Sequence, residues 1–332
     1  MLEHGGRLRA AAARYGIALE DWLDLSTGIA PEAYPVPAIP SAVWQRLPED
    51  EDGLAEAACR YYGTPRVLAL PGSQAAIQLL PRLRRTGVVA VPEPSYSEYA
   101  AAWSAAGHEV RRCAASDLPS LAGEVDVVVV GNPNNPTGGR IARQALLDMA
   151  RQVEARQGWL VVDEAFADAE ENSESLADVA GSAEAGNVVV LRSLGKFFGL
   201  AGARVGFAIA GDSILEPLAA AIGPWAIAHP SRLAARAALA DDDWQGMQRE
   251  RLRRDGARLH ELLAASGLGE SSGTALFRYL ACDDAPALHE FFARRGILLR
   301  HFVHPAALRF GLPATTAEWQ RLALALEQWR NR

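Results

Sequence analysis

Residues 193–207, SLGKFFGLAGARVGF, set one lysine among glycines and bulky apolar side chains. Lys196 is the only lysine in the chain; the other 32 of its 33 basic residues are arginine. An amine buried near other cations loses its proton more readily and becomes a nucleophile at neutral pH. Arg204, eight residues on, supplies such a cation. Upstream, VVDEAF ends an apolar run on Asp163. A carboxylate there is costly to bury unless it is hydrogen-bonded or paired, so a cationic partner is expected. NPNNPTG, residues 132–138, is a rigid turn cluster that aims Asn135 into a cleft. PGSQAAI, residues 71–77, is a glycine turn in which Ser73 and Gln74 open a helix, where free N–H groups and the dipole favour an anion. PSY, residues 94–96, puts the Tyr96 ring after another apolar run. Taken singly, these have plainer readings: Ser73 as a cap, Tyr96 as packing, Asn135 as turn chemistry. Their order along one chain carries the argument.

The elements that must position them alternate. GVVAVPEPSY, VDVVVVGNPNNPTG, GWLVVDEAF, NVVVLRSLGK and ARVGFAIAG read as Val-rich strands buried on both faces. Between them, SEYAAAWSAAG and ARQALLDMARQVEARQG have helical periodicity, and DGLAEAACRYYG predicts a helix stopped by Gly63. The alternation implies an α/β fold with a mostly parallel sheet, whose ligand lies beyond the carboxyl ends of the strands. Each candidate residue follows such an end. From about residue 219 the pattern changes to Ala/Leu/Arg helices with two short strand candidates, TALFRYLA and GILLRHF. The expected division is an N-terminal segment 1–35, a large domain 36–218 and a small C-terminal domain 219–332.

A net charge of -7 argues against general nucleic-acid binding. Cys59, Cys113 and Cys282 lack metal-ligand spacing and suit reduced thiols, so no metal is expected and the location expected is cytoplasmic. No run approaches the roughly 20 apolar residues of a spanning helix, so no membrane association is expected.

The set Asn135, Asp163, Ser193, Lys196 and Arg204 resembles the class I/II aminotransferase branch of the fold type I pyridoxal-phosphate enzymes. The resemblance runs from about residue 20 to the C-terminus. It implies a three-layer α/β/α large domain, a smaller α/β C-terminal domain and a homodimer. It also implies pyridoxal 5'-phosphate as cofactor, with Lys196 as its Schiff-base lysine and Asp163 on the pyridine nitrogen. Asn135 would meet the phenolic oxygen and Tyr96 the ring face, while Ser73, Gln74, Ser193 and Arg204 would hold the phosphate. Three positions depart from the pattern: Phe166 and Leu47 stand where many relatives have Tyr, and Gly195 where many have Ser.

Two C-terminal arginines bear on the substrate. GILLRHF ends on Arg300 and ALRFGL carries Arg309; two fixed guanidiniums suit a small molecule with two anionic ends, such as an amino acid phosphate. The N-terminal HGG, with the Asp24–Ser26 pair and the GILLRH run, resembles the threonine-phosphate decarboxylases of cobalamin biosynthesis. That resemblance implies that His4, Gly5 and Gly6 fold over the site and bind the substrate phosphate with Arg300, while Arg309 takes the carboxylate. The expected reaction is decarboxylation of L-threonine O-3-phosphate to (R)-1-aminopropan-2-yl phosphate. The alternative is a histidinol-phosphate aminotransferase or a related class I/II aminotransferase.

Overall fold

The structure, a computed structural model, describes residues 4–170 and 174–332. Strand β1 (Leu23–Leu25) lies near the N-terminus. Seven strands follow: β2 (Leu68–Leu70), β3 (Val88–Pro92), β4 (Glu109–Cys113), β5 (Val127–Gly131), β6 (Trp159–Asp163), β7 (Val188–Ser193) and β8 (Gly206–Ile209). The C-terminal part adds β9 (Ser272–Thr274), β10 (Phe277–Ala281), β11 (Ile297–Phe302) and β12 (Ala307–Gly311).

Strands β2 to β8 form one sheet in the order β2-β8-β7-β6-β5-β3-β4, in which only β8 opposes its neighbours. The valine runs explain its burial. In β5, Val128 and Val130 enter one apolar cluster while Val127 and Val129 enter another on the opposite face. This period-2 split between two covered faces is what a central parallel sheet requires. Helices complete the layers through stripes of apolar residues. Helix Arg143–Glu154 buries Leu146, Met149, Ala150 and Val153, and helix Leu54–Tyr62 buries Leu54, Ala57, Ala58 and Tyr62. The latter stops at Gly63, whose φ of 66° suits the left-handed cap.

The second sheet has the order β1-β11-β12-β10-β9. Three of its members differ from expectation. ALRFG forms β12, SGT forms β9 against β10, and LDL of the N-terminal segment forms β1, paired in parallel with β11. β1 is three residues long, too brief for its Leu-Asp-Leu alternation to stand out, and it finds its place by pairing with β11 of the C-terminal part. A division after residue 218 would cut the continuous helix Asp212–Ile222. The larger apolar cluster includes residues of both sheets, from Val128 and Phe207 to Leu280 and Phe310. Among the described residues no helix is long and apolar enough to cross a membrane.

Chain order fixes where a site can form. After β3 the chain moves outward to β4, then returns across β3 to β5, so the loops leaving β3 and β5 diverge. A crevice opens at that switch point, beyond the carboxyl ends of the strands.

Candidate active site

The crevice is a cavity of about 450 Å³. Its walls include Ser73, Gln74, Tyr96, Asn135, Asp163, Ser193, Lys196 and Arg204 from the large sheet, Arg300 and Arg309 from the small one, and His4 and Gly5. Gly6 is not among them. Its amide, expected to meet the substrate phosphate, donates to Ser26 Oγ at 2.7 Å.

Lys196 follows β7 in the loop that leads to Arg204. Its Nζ lies 5.4 Å from the centroid of Phe166, which packs edge-on against Phe277. This apolar wall leaves the ammonium poorly solvated. Burial first, then the charges of Arg309 and Arg204, pull its pKa down to about 8, against the opposing pull of Asp163. The amine is therefore partly unprotonated at neutral pH.

Asp163 ends β6 and is buried. One oxygen accepts from Tyr99 Oη at 2.8 Å and the other from the Ala165 amide at 3.0 Å. Both donors are neutral, and burial still pushes the carboxyl pKa up. Gly131, its register partner on β5, makes room for the hydroxyl: a Cβ there would sit 3.3 Å from Tyr99 Oη. The sequence reading missed Tyr99. The available signal was its place three residues after Tyr96, at the start of the helix Glu98–Ala105 that follows the PSY turn.

The loops after β2 and β7 make a corner suited to an anion. No side chain caps helix Ser73–Leu79. Ser193 Oγ accepts from the Gly195 amide at 3.3 Å, which leaves its own hydrogen to donate. Arg204 lies against Gly72, where a Cβ would approach its Nη2 to 2.7 Å. Gly206 allows the same close packing, since a Cβ there would meet the Ser73 amide at 2.5 Å. Tyr96 donates to Gln74 Oε1 at 3.1 Å, and burial with nearby Glu98 and Asp163 raises its pKa to about 12.

Arg300 and Arg309 are Cα partners across β11 and β12, so their side chains leave the sheet on one face. Arg309 is buried; Nη1 donates to Asn135 Oδ1 at 2.6 Å and Nη2 to the Ser26 carbonyl at 3.0 Å, while Nε has no partner. Burial and Arg300 lower its pKa to about 10, so it remains a cation at neutral pH. Ser26 also ties down the N-terminal segment, and Asp24 accepts from both its hydroxyl and its amide at 2.6 and 2.9 Å. Gly5 passes so close that a Cβ would lie 2.3 Å from the Ser26 carbonyl oxygen. His4 reaches the cavity, but its Nε2 is engaged by Glu98 Oε1 at 2.7 Å.

A family model for aminotransferases of class I and II matches residues 48–326. The chain belongs to that family. Within the class I and II aminotransferases it is 52% identical to a threonine-phosphate decarboxylase of Pseudomonas aeruginosa, over 98% of this chain and 97% of that one. A threonine-phosphate decarboxylase of a Sinorhizobium species is 44% identical, over 97% of each chain. Among solved structures, a histidinol-phosphate aminotransferase from Sinorhizobium meliloti in complex with pyridoxal-5'-phosphate superposes with a TM-score of 0.81. It shares 22% identity and covers 99% of this chain and 95% of its own, which speaks for the fold alone.

The residues present fit a pyridoxal phosphate. A buried carboxylate held only by neutral donors calls for a cation, which a protonated pyridine nitrogen supplies. The corner of Ser73, Ser193 and Arg204 matches a phosphate in charge and donor type. Lys196 provides an amine suited to an aldehyde.

Proposed function

We propose that this protein is a pyridoxal-phosphate-dependent carboxy-lyase that converts L-threonine O-3-phosphate to (R)-1-aminopropan-2-yl phosphate and CO2. The observation that carries the reading is the pairing of Arg300 with Arg309 across β11 and β12, facing one cavity with Lys196. Two cations at fixed separation suit a substrate with an anion at each end. The identity to two threonine-phosphate decarboxylases over nearly the whole chain supports the same substrate.

When bound, the cofactor supplies a protonated conjugated ring that accepts the electron pair left as a bond at the substrate α-carbon breaks. Asp163 would keep that ring nitrogen protonated, held in place by Tyr99. Asn135 would present its Nδ2 to the ring oxygen, because its Oδ1 is committed to Arg309. Tyr96 would cover the ring, and Ser73, Gln74, Ser193 and Arg204 would hold the cofactor phosphate.

Arg309 would grip the substrate carboxylate, with Asn135 and Ser26 setting its orientation. Arg300, His4 and the Gly5 backbone would take the substrate phosphate. A substrate pinned at both ends has restricted rotation about its Cα–N bond, which allows the carboxylate to be set perpendicular to the ring. Lys196 Nζ, near its pKa at neutral pH, can hold a proton and deliver it to the α-carbon once CO2 has left.

The product suits the aminopropanol linker of cobalamin, and the setting proposed is the cytoplasm. The active form proposed is a homodimer, which would cover Trp44, Leu47 and Trp225, exposed at 66%, 60% and 62%. The deciding experiment incubates the purified protein with L-threonine phosphate and measures CO2, with histidinol phosphate plus 2-oxoglutarate in parallel. Glutamate formation without CO2 release would replace this reading with an aminotransferase.

A further inference from the structure

We propose that Glu98 is a positioning residue that latches the N-terminal segment over the active-site cavity and ties it to the start of helix Ser73–Leu79. The kinetic consequence rests on the proposed substrate; the latch itself does not.

Glu98 lies in the first turn of helix Glu98–Ala105, and its side chain is 15% exposed. Its two oxygens serve different parts of the chain. Oε1 meets His4 Nε2 at 2.7 Å, across 94 residues. Oε2 accepts from Gln74 Nε2 at 3.1 Å and from Gln78 Nε2 at 3.0 Å. Gln74 and Gln78 are four apart, so both amides leave one face of their helix. Gln74 in turn accepts from the Tyr96 hydroxyl at 3.1 Å, and the His4 ring lies 5.8 Å from that of Tyr96. One carboxylate thus joins the N-terminal segment, the loop after β3 and the corner suited to an anion.

Among the described residues, other contacts hold residues 4–7 on the β1 side, where Gly5 packs against the Ser26 carbonyl. The Gly6 amide reaches Ser26 Oγ, and from Leu8 onward the helix packs against Trp22, Ala293 and Leu298. On the cavity side, among the described residues, the His4–Glu98 pair adds a hydrogen bond to the ring contact of His4 with Tyr96. A carboxylate beside a pocket for anions opposes its ligand unless donors surround it, and His4, Gln74 and Gln78 do so. Removing Glu98 takes from the His4 ring and from both glutamine amides their carboxylate partner, while Gln74 keeps its contact with Tyr96.

The test uses the full-length, cofactor-loaded protein and reads hydrogen exchange at the Gly6 amide. Glu98→Ala and His4→Ala are each expected to speed exchange about tenfold, and the double variant no more than either, because both break one contact. Steady-state kinetics with threonine phosphate should show KM raised about tenfold in Glu98→Ala with kcat within about twofold, and Glu98→Asp should recover part of the loss. Unchanged exchange in Glu98→Ala, or additive effects in the double variant, overturns the latch. If Glu98→Ala does not fold, His4→Ala decides alone, since it truncates a side chain that is 42% exposed. A wild-type protein inert toward threonine phosphate sinks the substrate reading, and the exchange data still judge the latch.

Discussion

Arg309 Nη1 donates to Asn135 Oδ1 at 2.6 Å, joining two residues 174 positions apart in the chain. The contact locks each in one orientation. The amide of Asn135 must turn its Nδ2 away from the guanidinium, and Arg309 is held at two of its nitrogens, with Nε left over. The residue proposed to meet the cofactor and the residue proposed to grip the substrate are thereby set by one another. Arg309→Lys should lower kcat/KM for threonine phosphate at least about tenfold, because an ammonium cannot reproduce the planar fork. Equal kinetics in the two proteins would deny the arginine that orienting role.

Lys196 is proposed to capture the cofactor. With a pKa near 8, its amine loses the proton as pH rises through that value, so recombination of cofactor-free protein with pyridoxal phosphate should accelerate from about pH 7 to about pH 9. Arg309→Met removes a like charge and should move the midpoint upward. Borohydride should fix the cofactor to the peptide containing Lys196, and Lys196→Ala should bind the cofactor without turnover. A pH-independent rate of recombination would contradict the depressed pKa.

Tyr99→Phe takes from Asp163 one of its two neutral donors. Losing a hydrogen bond to a charged group costs about 1.5–3 kcal/mol. Equilibrium dialysis should show the cofactor bound about ten- to a hundredfold more weakly, and Tyr96→Phe should cost less because that hydroxyl serves Gln74. The reverse ranking would assign the carboxylate's support elsewhere.

Arg300→Ala separates the two ends of the substrate. Turnover of threonine phosphate should fall about ten- to a hundredfold, equivalent to about 1.5–3 kcal/mol. Any reaction with unphosphorylated threonine should change far less. Equal damage to both substrates would remove Arg300 from the phosphate subsite.

Gly72→Ala tests the corner suited to an anion. Gly72 has φ 79° and ψ 153°, a region open essentially to glycine, and a Cβ would press on Arg204 Nη2. Folding should lose about 1–3 kcal/mol. Affinity should drop more for pyridoxal phosphate than for pyridoxal, read by titrating each into the cofactor-free protein. An equal loss for both would show that Arg204 does not serve the phosphate.

Much of the fold and part of the site were legible in the sequence, for local reasons. Val-rich runs such as VVVV in β5 can satisfy both faces of a sheet only when layered on each side. The residues that follow such runs must emerge at one edge, which places Asp163, Ser193 and the Asn135 turn together before any coordinates exist. The lone Lys196 and the glycines around it mark the same edge. Each of these inferences uses neighbours within a few positions in the chain.

What only the tertiary structure decided involves partners far apart in sequence. Tyr99 meets Asp163 across 64 residues, His4 meets Glu98 across 94, and β1 joins a sheet whose other strands begin at Ser272. The Gly6 amide turned out to serve Ser26 rather than a ligand, a choice made by how closely the N-terminal segment packs on β1. Periodicity and turn chemistry report the torsional and burial preferences of a segment by itself. Side-chain partners are chosen when separate surfaces close on each other and each buried polar group must find a donor or acceptor, and no local pattern encodes that match.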